Sequence, residues 1–336
     1  MILVVRYWVL LISVFLFSCQ DGINQSVIIG ETQGTTYTIK YNSHIPYIIT
    51  KNQIDSLLRN IDISMSTYNP KSIISSINRG EDVLLDSLIT IVIKKAISIC
   101  YETDGMFDVT VSPIVNDWGF GPGAQKMNLT QKYNIAEYSN IVGCDKIIIE
   151  DNKLIKEKNI TIDLNGIAQG FTVDYLADYF INKDISNFMI EVGGEVRCSG
   201  FNFNNPWKIA IDKPTNKSRG IVFVLGLNNL SLATSGSYRK FYYNEESIKI
   251  SHTINPKTLS PAKNKLISVT ILHQDCMVAD AYATACMSLG LSASKLFLDK
   301  TKVSACLIYV EDKDTMYHFS NQFSSFLHFK PGSAPQ

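Results

Sequence analysis

Two periods of apolar residues in the first hundred positions predict two kinds of element. Polar and apolar residues alternate over residues 36–41, which predicts a β-strand with one buried face. Apolar residues then recur at steps of three and four over residues 54–65, the pattern of an amphipathic helix. A second such stripe over residues 88–99 predicts another helix, with Asp86 as its N-cap.

The rest of the chain mixes strands and helices. Residues 171–180 predict a helix entered through Gly166 and Gly170, and residues 277–289 predict another. Strands are predicted at 188–192, 207–211, 221–225 and 305–310, of which the last is expected to be the final strand. Since there is no regular strand–helix–strand alternation and no Pro/Gly-rich linker, we expect an α+β fold with two lobes in a single domain.

The N-terminus carries a different pattern, because 15 of its first 18 residues are apolar and Arg6 is the only charge. This is typical of a secretory signal, and the sequence Leu-Phe-Ser-Cys that ends at Cys19 is similar to a bacterial lipobox. The alternative is an uncleaved transmembrane anchor. We expect a signal peptide over 1–18, lipidation at Cys19, a tether over 19–30 and a folded domain over 31–330, at the periplasmic face of the inner membrane.

Composition excludes some classes of protein. The 336 residues include 31 basic and 31 acidic side chains, and 46% are hydrophobic, so neither a disordered chain nor a polyanion binder is expected.

Six cysteines follow Cys19 without a CxxC pair, so a zinc site is not indicated. We expect all six to be buried thiols; Cys276 and Cys286 are too far apart to bond if they share a helix.

One predicted helix carries candidate metal ligands. Asp280 and Thr284 are four residues apart, which places both side chains on one helix face. A carboxylate and a hydroxyl suit a hard cation such as Mg²⁺. The alternative is an aspartate on a solvent-exposed face.

Three glycine-containing segments are candidate ligand-binding turns. Residues 163–170 open a helix and could present backbone N–H groups to a phosphate, although an ordinary helix start has the same pattern. Gly193 and Gly194 could allow close approach of a ligand or form a simple turn. Residues 233–239 end in Arg239, which could bind a phosphate or lie on the surface.

His252 lies in the polar segment 251–256, where a histidine could act as a general base near neutral pH. A structural histidine is the alternative. Neither a GxSxG nor an HExxH sequence is present, so the common hydrolase sites are not indicated.

Taken in order, these segments resemble the ApbE family of flavin transferases. The resemblance covers roughly residues 30 to 330. It is carried by residues 34–37, 65–70, 103–110, 113–122, 163–170, 191–195, 233–239, 251–256 and 276–284.

The resemblance implies roles for individual residues. It implies that Asp280, Thr284 and the carbonyl of Gly166 bind the metal, and that His252 is the base. Asp280 thus serves catalysis through the metal, and Arg239 is placed beside a phosphate. The residues that the resemblance places at FAD are Gln33, Tyr68, Met106, Phe107, Asp108, Asp163, Gln169 and Ile254.

The resemblance also implies an activity. Members of the family cleave FAD with Mg²⁺, transfer FMN to a Thr or Ser hydroxyl of a target protein and release AMP. The FAD would lie in the cleft between the lobes. The targets would be membrane electron-transport subunits of the Rnf or Na⁺-pumping NADH:quinone reductase type, or other flavin-carrying extracytoplasmic domains. Two alternatives stay open: an FAD pyrophosphatase that uses water, and a flavin-binding lipoprotein without enzymatic activity.

This sequence departs from the family pattern at four positions. Gln33 stands where many members have Met, and Gln169 replaces a common Lys or Glu. Ser237 replaces a frequent Asp, and Ala283 lacks an acid that some members place beside the metal. With Ala283, two protein side chains would remain for the metal.

Overall fold

A computed structural model describes residues 22–121, 135–215, 220–238, 240–244 and 247–329. Its helices are α1 (Lys51–Met65), α2 (Ile73–Asn78), α3 (Ser87–Glu102), α4 (Ser112–Asp117), α5 (Ile135–Ile141), α6 (Ala168–Ile181), α7 (Cys276–Leu289) and α8 (Leu291–Thr301). Short 3₁₀ helices span Val109–Val111, Cys144–Lys146 and Phe323–Phe326.

The strands are β1 (Asn24–Thr32), β2 (Thr35–Ser43), β3 (Ile147–Glu150), β4 (Lys153–Lys156), β5 (Phe188–Val192), β6 (Glu195–Ser199), β7 (Trp207–Asp212), β8 (Ile221–Leu227), β9 (Leu230–Gly236), β10 (Phe241–Tyr243), β11 (Lys249–Ser251), β12 (Ile254–Asn255), β13 (Ser260–Pro261), β14 (Leu266–His273), β15 (Ser304–Glu311), β16 (Asp314–Ser320) and β17 (Leu327–Phe329). Eight of them form the main sheet, in the order β1-β2-β5-β6-β9-β14-β15-β16, and all neighbours in it are antiparallel. A second sheet has the order β17-β8-β7. The α+β class is therefore confirmed.

Two helices, α6 and α7, pack against the main sheet and against each other. Twelve of the 14 residues of α7 are buried, so this helix is apolar on nearly every face and lies in the interior. The helices approach closely at Gly170, where a Cβ atom would lie only 2.5 Å from the carbonyl oxygen of Cys276. This close packing fixes the position of the first turn of α7 relative to the start of α6.

The helices and strands predicted from periodicity are all present, and the one predicted N-cap is observed. The side chain of Asp86 accepts a hydrogen bond from the backbone N–H of Ile89 at 2.9 Å, which confirms it as the N-cap of α3. The strand predicted at 305–310 is β15, but it is not the last one, since β16 and β17 follow it. Most residues of β16 are exposed at the edge of the sheet, so its sequence lacks the alternation that would predict it.

The tether prediction is wrong for part of its length. Strand β1 begins at Asn24 and pairs with β2 along its whole length, so residues 24–30 belong to the main sheet. The proposed signal peptide and Cys19 lie outside the described residues. Among the helices of the described part, none has the length and apolar character needed to cross a bilayer.

The cysteine prediction is also wrong in part. Cys100 and Cys144 form a disulfide that closes a sequence separation of 44 residues. The other four, Cys198, Cys276, Cys286 and Cys306, are free and buried. Burial raises the pKa of each of these four thiols, which keeps them protonated.

Candidate active site

Helix α7 contributes the predicted metal ligands. Asp280 and Thr284 lie one turn apart on it, and Asp280 is only 5% exposed, so the alternative of a solvent-exposed aspartate is wrong. One carboxylate oxygen of Asp280 accepts a hydrogen bond from the backbone N–H of Gly170 at 3.1 Å. Burial raises the pKa of Asp280 to about 7, against the lowering effect of that bond. A buried carboxylate with this environment favours a bound cation.

Gly166 lies directly against Thr284. A Cβ atom at Gly166 would be 3.1 Å from Oγ1 of Thr284 and 3.2 Å from the ring of Phe107, so a larger residue would crowd both. The hydroxyl of Thr284 is also 3.2 Å from the hydroxyl of Ser235 on β9. The structure therefore brings the turn before α6 to the face of α7 that carries Asp280. Carboxylate, hydroxyl and carbonyl oxygens are the ligands that Mg²⁺ prefers, so the residues present fit this metal.

Two residues predicted to contact the flavin, Gln33 and Gln169, lie at the first two turns of α6. Gln33, which has a positive φ of 50°, donates a hydrogen bond from Nε2 to the hydroxyl of Thr172 at 2.7 Å. The side chain of Gln169 lies against Gly193, where a Cβ atom would be 2.6 Å from its Nε2. Gly194 follows, with its N–H bonded to Glu191 at 2.9 Å. Both glutamines therefore lie close to the N-terminus of α6. The N-cap residue of this helix, Ile167, makes no side-chain capping hydrogen bond.

The segment 106–110 forms a second side of the site. Met106 and Phe107 are buried, and Asp108 is 8% exposed. One oxygen of Asp108 accepts hydrogen bonds from the backbone N–H of Thr110 at 2.8 Å and from its hydroxyl at 2.6 Å. Burial raises the pKa of Asp108, although the bonds from Thr110 and from the backbone of Cys144 lower it.

Asp163 is joined to this segment through the backbone. Its N–H donates to the carbonyl of Val109 at 2.7 Å, and its carboxylate accepts from the N–H of Asn165 at 2.8 Å. Burial raises the pKa of Asp163, while Asn165 and the charge of Lys240 lower it. The segments 106–110 and 163–167 are therefore one connected wall.

His252 follows the hairpin of β10 and β11. Its Nδ1 is 3.1 Å from the carbonyl oxygen of Lys240. Since a carbonyl only accepts, the bond requires the proton on Nδ1 and leaves the lone pair of Nε2 free to accept one. Burial lowers the pKa of His252, as does the charge of Lys240, while the bond to that carbonyl raises it. The ring also contacts Phe120 edge-on, at 6.2 Å between centroids, and Phe120 stacks on Tyr242.

Ile254 links the His252 loop to α7. Its carbonyl accepts a hydrogen bond from the hydroxyl of Ser288 at 2.9 Å, near the end of that helix. Its side chain is buried in an apolar cluster with Ile114, Val142 and Leu259. A contact between Ile254 and FAD stays a prediction, since the buried side chain mainly holds the loop in place.

Tyr68 differs from the other candidates. It lies on the turn between α1 and α2 and is 68% exposed, so its ring is accessible but is not held by the contacts that join the others. Arg239 and Cys19 lie outside the described residues. Their roles stay predictions.

Two features near the site were not predicted. The first is Asp174 on α6, whose two carboxylate oxygens accept hydrogen bonds from the backbone N–H groups of Cys276 and Met277 at 3.1 and 2.9 Å. It also pairs with Arg197 at 2.7 Å. Asp174 thus caps α7 from another helix, a role that Asp275, the residue before α7, does not fulfil with its own side chain.

The second is the disulfide, which lies beside Asp108. One carboxylate oxygen of Asp108 and the two sulfur atoms of Cys100 and Cys144 all lie within 4.8 Å of one another. These residue types could bind a metal if both sulfurs were thiolates, but here the sulfurs are bonded to each other. Cysteine spacing alone could not reveal the pairing, because the two residues belong to different elements.

Comparisons with known proteins place the chain in a family. Residues 33–308 match the model of the ApbE family. The FAD:protein FMN transferase of Vibrio cholerae is 34% identical over 332 residues, which cover 96% of this chain and 99% of that protein. The FAD:protein FMN transferase of Haemophilus influenzae is also 34% identical, over 94% of this chain and 95% of that protein.

Solved structures show the same relationship. The flavin transferase ApbE of Vibrio cholerae superposes with a TM-score of 0.80 at 34% identity, over 91% of this chain and all of that one. The apo form of the Pseudomonas stutzeri flavinyl transferase ApbE has a TM-score of 0.80 at 24% identity, over 90% of this chain and 97% of that one. The second likeness concerns the fold alone.

Proposed function

Because the chain belongs to the ApbE family, we propose that it is a Mg²⁺-dependent FAD:protein FMN transferase. In this reaction the hydroxyl oxygen of a Thr or Ser on an acceptor protein bonds to the phosphorus of the FMN half. The bond between that phosphorus and the bridging oxygen breaks, and AMP leaves with that oxygen. The product on the acceptor is a phosphoester.

The observation that carries this proposal is the position of Gly166 against Thr284, one helical turn from Asp280, where α6 packs against α7. These residues would hold the metal. A bound Mg²⁺ would neutralise negative charge on the FAD pyrophosphate and on the departing AMP. The start of α6, a helix of 14 residues, adds a positive dipole end beside the same position. Together these groups explain how a protein without net positive charge can bind a dinucleotide.

His252 is the proposed base for the acceptor hydroxyl. Its Nε2 is left as the accepting nitrogen by the bond between Nδ1 and Lys240, and its lowered pKa keeps the ring neutral near pH 7. The proton of the acceptor hydroxyl would move to Nε2 as the oxygen attacks. Arg239 is proposed to steady the phosphate.

The flavin would be held by residues around the start of α6 and by the connected segments 106–110 and 163–167. Gln33, Gln169 and Asp163 offer polar groups for ring and ribose atoms. Phe107 and the exposed Tyr68 offer aromatic faces for the isoalloxazine or the adenine. Met106, Asp108 and Ile254 complete the proposed set.

The acceptor and the location belong to the same proposal. We infer that the enzyme is lipid-anchored at Cys19 on the periplasmic face of the inner membrane, and that it modifies electron-transport subunits of the Rnf or Na⁺-pumping NADH:quinone reductase type. The disulfide supports an extracytoplasmic location, because disulfides persist in oxidising compartments and are rare in the cytosol.

The test is incubation of the purified chain with FAD, Mg²⁺ and isolated acceptor domains. We expect flavin fluorescence that stays with the acceptor in a denaturing gel, with one AMP released for each FMN attached. AMP without acceptor fluorescence would indicate a pyrophosphatase instead. Intact FAD that stays bound to the protein would indicate a flavin-binding lipoprotein.

A further inference from the structure

The Cys100–Cys144 disulfide connects two elements on either side of a proposed flavin-binding segment. Cys100 lies near the end of α3, and Cys144 begins the 3₁₀ helix Cys144–Lys146. The segment 106–110, with Met106, Phe107 and Asp108, lies between them in the chain. A covalent bond between the flanking elements limits how far this segment can move.

Two successive hydrogen bonds connect the backbone beside Cys144 to the carboxylate of Asp108. The N–H of Gly143, the residue before Cys144, donates to the hydroxyl of Thr110 at 2.7 Å. That hydroxyl in turn donates to Asp108 at 2.6 Å. The backbone beside Cys144 therefore helps to fix the orientation of Asp108 through Thr110, and both sulfur atoms lie within 4.8 Å of one oxygen of that carboxylate.

The network continues to the turn that precedes α6. Val109, next to Asp108, accepts the hydrogen bond from the N–H of Asp163 at 2.7 Å. Asp163 begins the turn that brings Gly166 to Thr284. A shift of the backbone at residues 143–144 would therefore displace Asp108 and Asp163, the proposed flavin contacts, more than the proposed metal ligands.

Helix α3 has its own anchors and does not need the disulfide to stay in place. Its buried face includes Ile89, Val92, Ile93, Ala96 and Ile99, all within the largest apolar cluster. The backbone at residues 143–144 is held by fewer buried side chains, namely those of Val142 and Cys144. Loss of the bond would thus loosen mainly the part that contacts Asp108.

We propose that the Cys100–Cys144 disulfide is a positioning element for flavin binding, which holds Asp108 and the segment 106–110 in the geometry that FAD requires. This inference rests on the proposed function, since it concerns the affinity of that same site for FAD. It assigns the disulfide an effect on FAD affinity and little effect on the transfer step once FAD is bound.

The first test compares two double variants of the full chain. Cys100→Ala/Cys144→Ala removes the disulfide, and Cys198→Ala/Cys306→Ala removes two buried free thiols from the apolar cluster at the second sheet. We expect the first to weaken FAD binding about tenfold by fluorescence titration, with the turnover at saturating FAD within about twofold of the wild type. The control should bind FAD as the wild type does.

The second test asks whether the disulfide acts through Asp108. In a double-mutant cycle with Asp108→Asn, we expect removal of the disulfide to change FAD affinity less than about twofold, because the positioned carboxylate is already gone. A disulfide that merely stabilised the fold would give the same loss in both backgrounds, and that result would overturn the proposal. Reduction of the wild type with dithiothreitol provides a version of the test without substitutions.

The outcomes separate this inference from the proposed function. If the wild type neither binds FAD nor labels an acceptor, the proposed function is wrong. If the wild type does both and the disulfide variant retains full FAD affinity, the function stands and the positioning role is wrong.

Discussion

The two sides of the proposed active site are built in different ways. The metal side consists of α6 and α7, where Asp280 is buried and Gly170 allows the helices to touch. The base side consists of His252 after a hairpin of two three-residue strands, β10 and β11, and its ring is oriented by a backbone carbonyl. The metal side is therefore part of the protein core, while the base side is a peripheral addition to it. Changes to the first should affect folding and activity together, and changes to the second should affect activity alone.

The strongest test of the metal side is Asp280→Asn. The amide has the same size and can still accept the hydrogen bond from Gly170, but it lacks the charge that would bind Mg²⁺. We expect FMN transfer to fall on the order of 10³-fold, the scale of a lost metal contribution of several kcal/mol. Transfer should be measured over a range of Mg²⁺ concentrations, with circular dichroism to confirm the fold.

Asp280→Asn would contradict the metal assignment if the variant kept the wild-type rate at limiting Mg²⁺. Asp280→Ala serves as the comparison, since it removes both the charge and the acceptor for Gly170. It should lose activity and also some stability. Equal melting temperatures for both variants would argue against a structural contribution from that hydrogen bond.

On the base side, His252→Ala should lower the rate of transfer by about 10²- to 10⁴-fold, the usual contribution of a general base. The unfolding midpoint in urea should change little, because the ring is only half-buried and its hydrogen bond is to a backbone carbonyl. His318→Ala on the edge strand β16 is the matched control, since burial also lowers the pKa of His318. A variant at His252 with normal turnover would remove this residue from the mechanism.

Asp174→Ala tests whether the metal side depends on core packing. The change leaves two N–H groups of α7 without their cap and Arg197 without its main partner. We expect the free energy of unfolding to fall by about 3 kcal/mol, measured in urea. Asp178→Ala is the control on the same helix, because Asp178 is 67% exposed and 4.0 Å from Arg197, and it should change stability by under about 0.5 kcal/mol.

Gly170→Ala tests the contact between α6 and α7 by adding a single methyl group. The new methyl group would lie 2.5 Å from the carbonyl of Cys276, so the helices must separate slightly, at a cost of about 2 kcal/mol. Gly226→Ala on β8 is the control, since its nearest neighbour would be 3.4 Å away in Pro206. If both substitutions have the same effect on thermal stability, the contact at Gly170 is not as tight as described.

The smallest effect concerns pH. Because burial lowers the pKa of His252 below its ordinary value of 6.5, the neutral base persists on the acid side of that value. At saturating Mg²⁺, where the bound metal keeps Asp280 deprotonated, we expect kcat/KM to fall as the pH drops, with a midpoint below 6.5. A midpoint above 6.5 that disappears in His252→Ala would show that the ring is stabilised in its charged form.

Local patterns predicted the elements better than they predicted the contacts. The four-residue spacing of Asp280 and Thr284 was enough to place them on one helix face, and Asp86 was correctly predicted as a cap. Burial of α7 was not evident from periodicity, because a helix that is apolar on all faces has no stripe to detect. The alternative of a solvent-exposed Asp280 could only be rejected from tertiary structure.

Contacts between residues that are far apart in the chain could not be predicted from the sequence. Asp174 accepts a hydrogen bond from the first residue of α7, and Cys100 bonds to Cys144. Neither contact has a local sequence signal, since each joins residues that are far apart in the chain. The tether predicted over residues 19–30 includes residues 24–30, which belong to β1 in the structure. Their burial alternates along β1, as expected of an edge strand with one face on the core.

The most direct test of the central claim is a crystal structure with FAD and Mn²⁺, which replaces Mg²⁺ and gives an anomalous signal. We predict one manganese peak coordinated by the side chains of Asp280 and Thr284 and the carbonyl of Gly166, with the FAD pyrophosphate beside it. A peak bound elsewhere, with Asp280 still bonded only to Gly170, would contradict it.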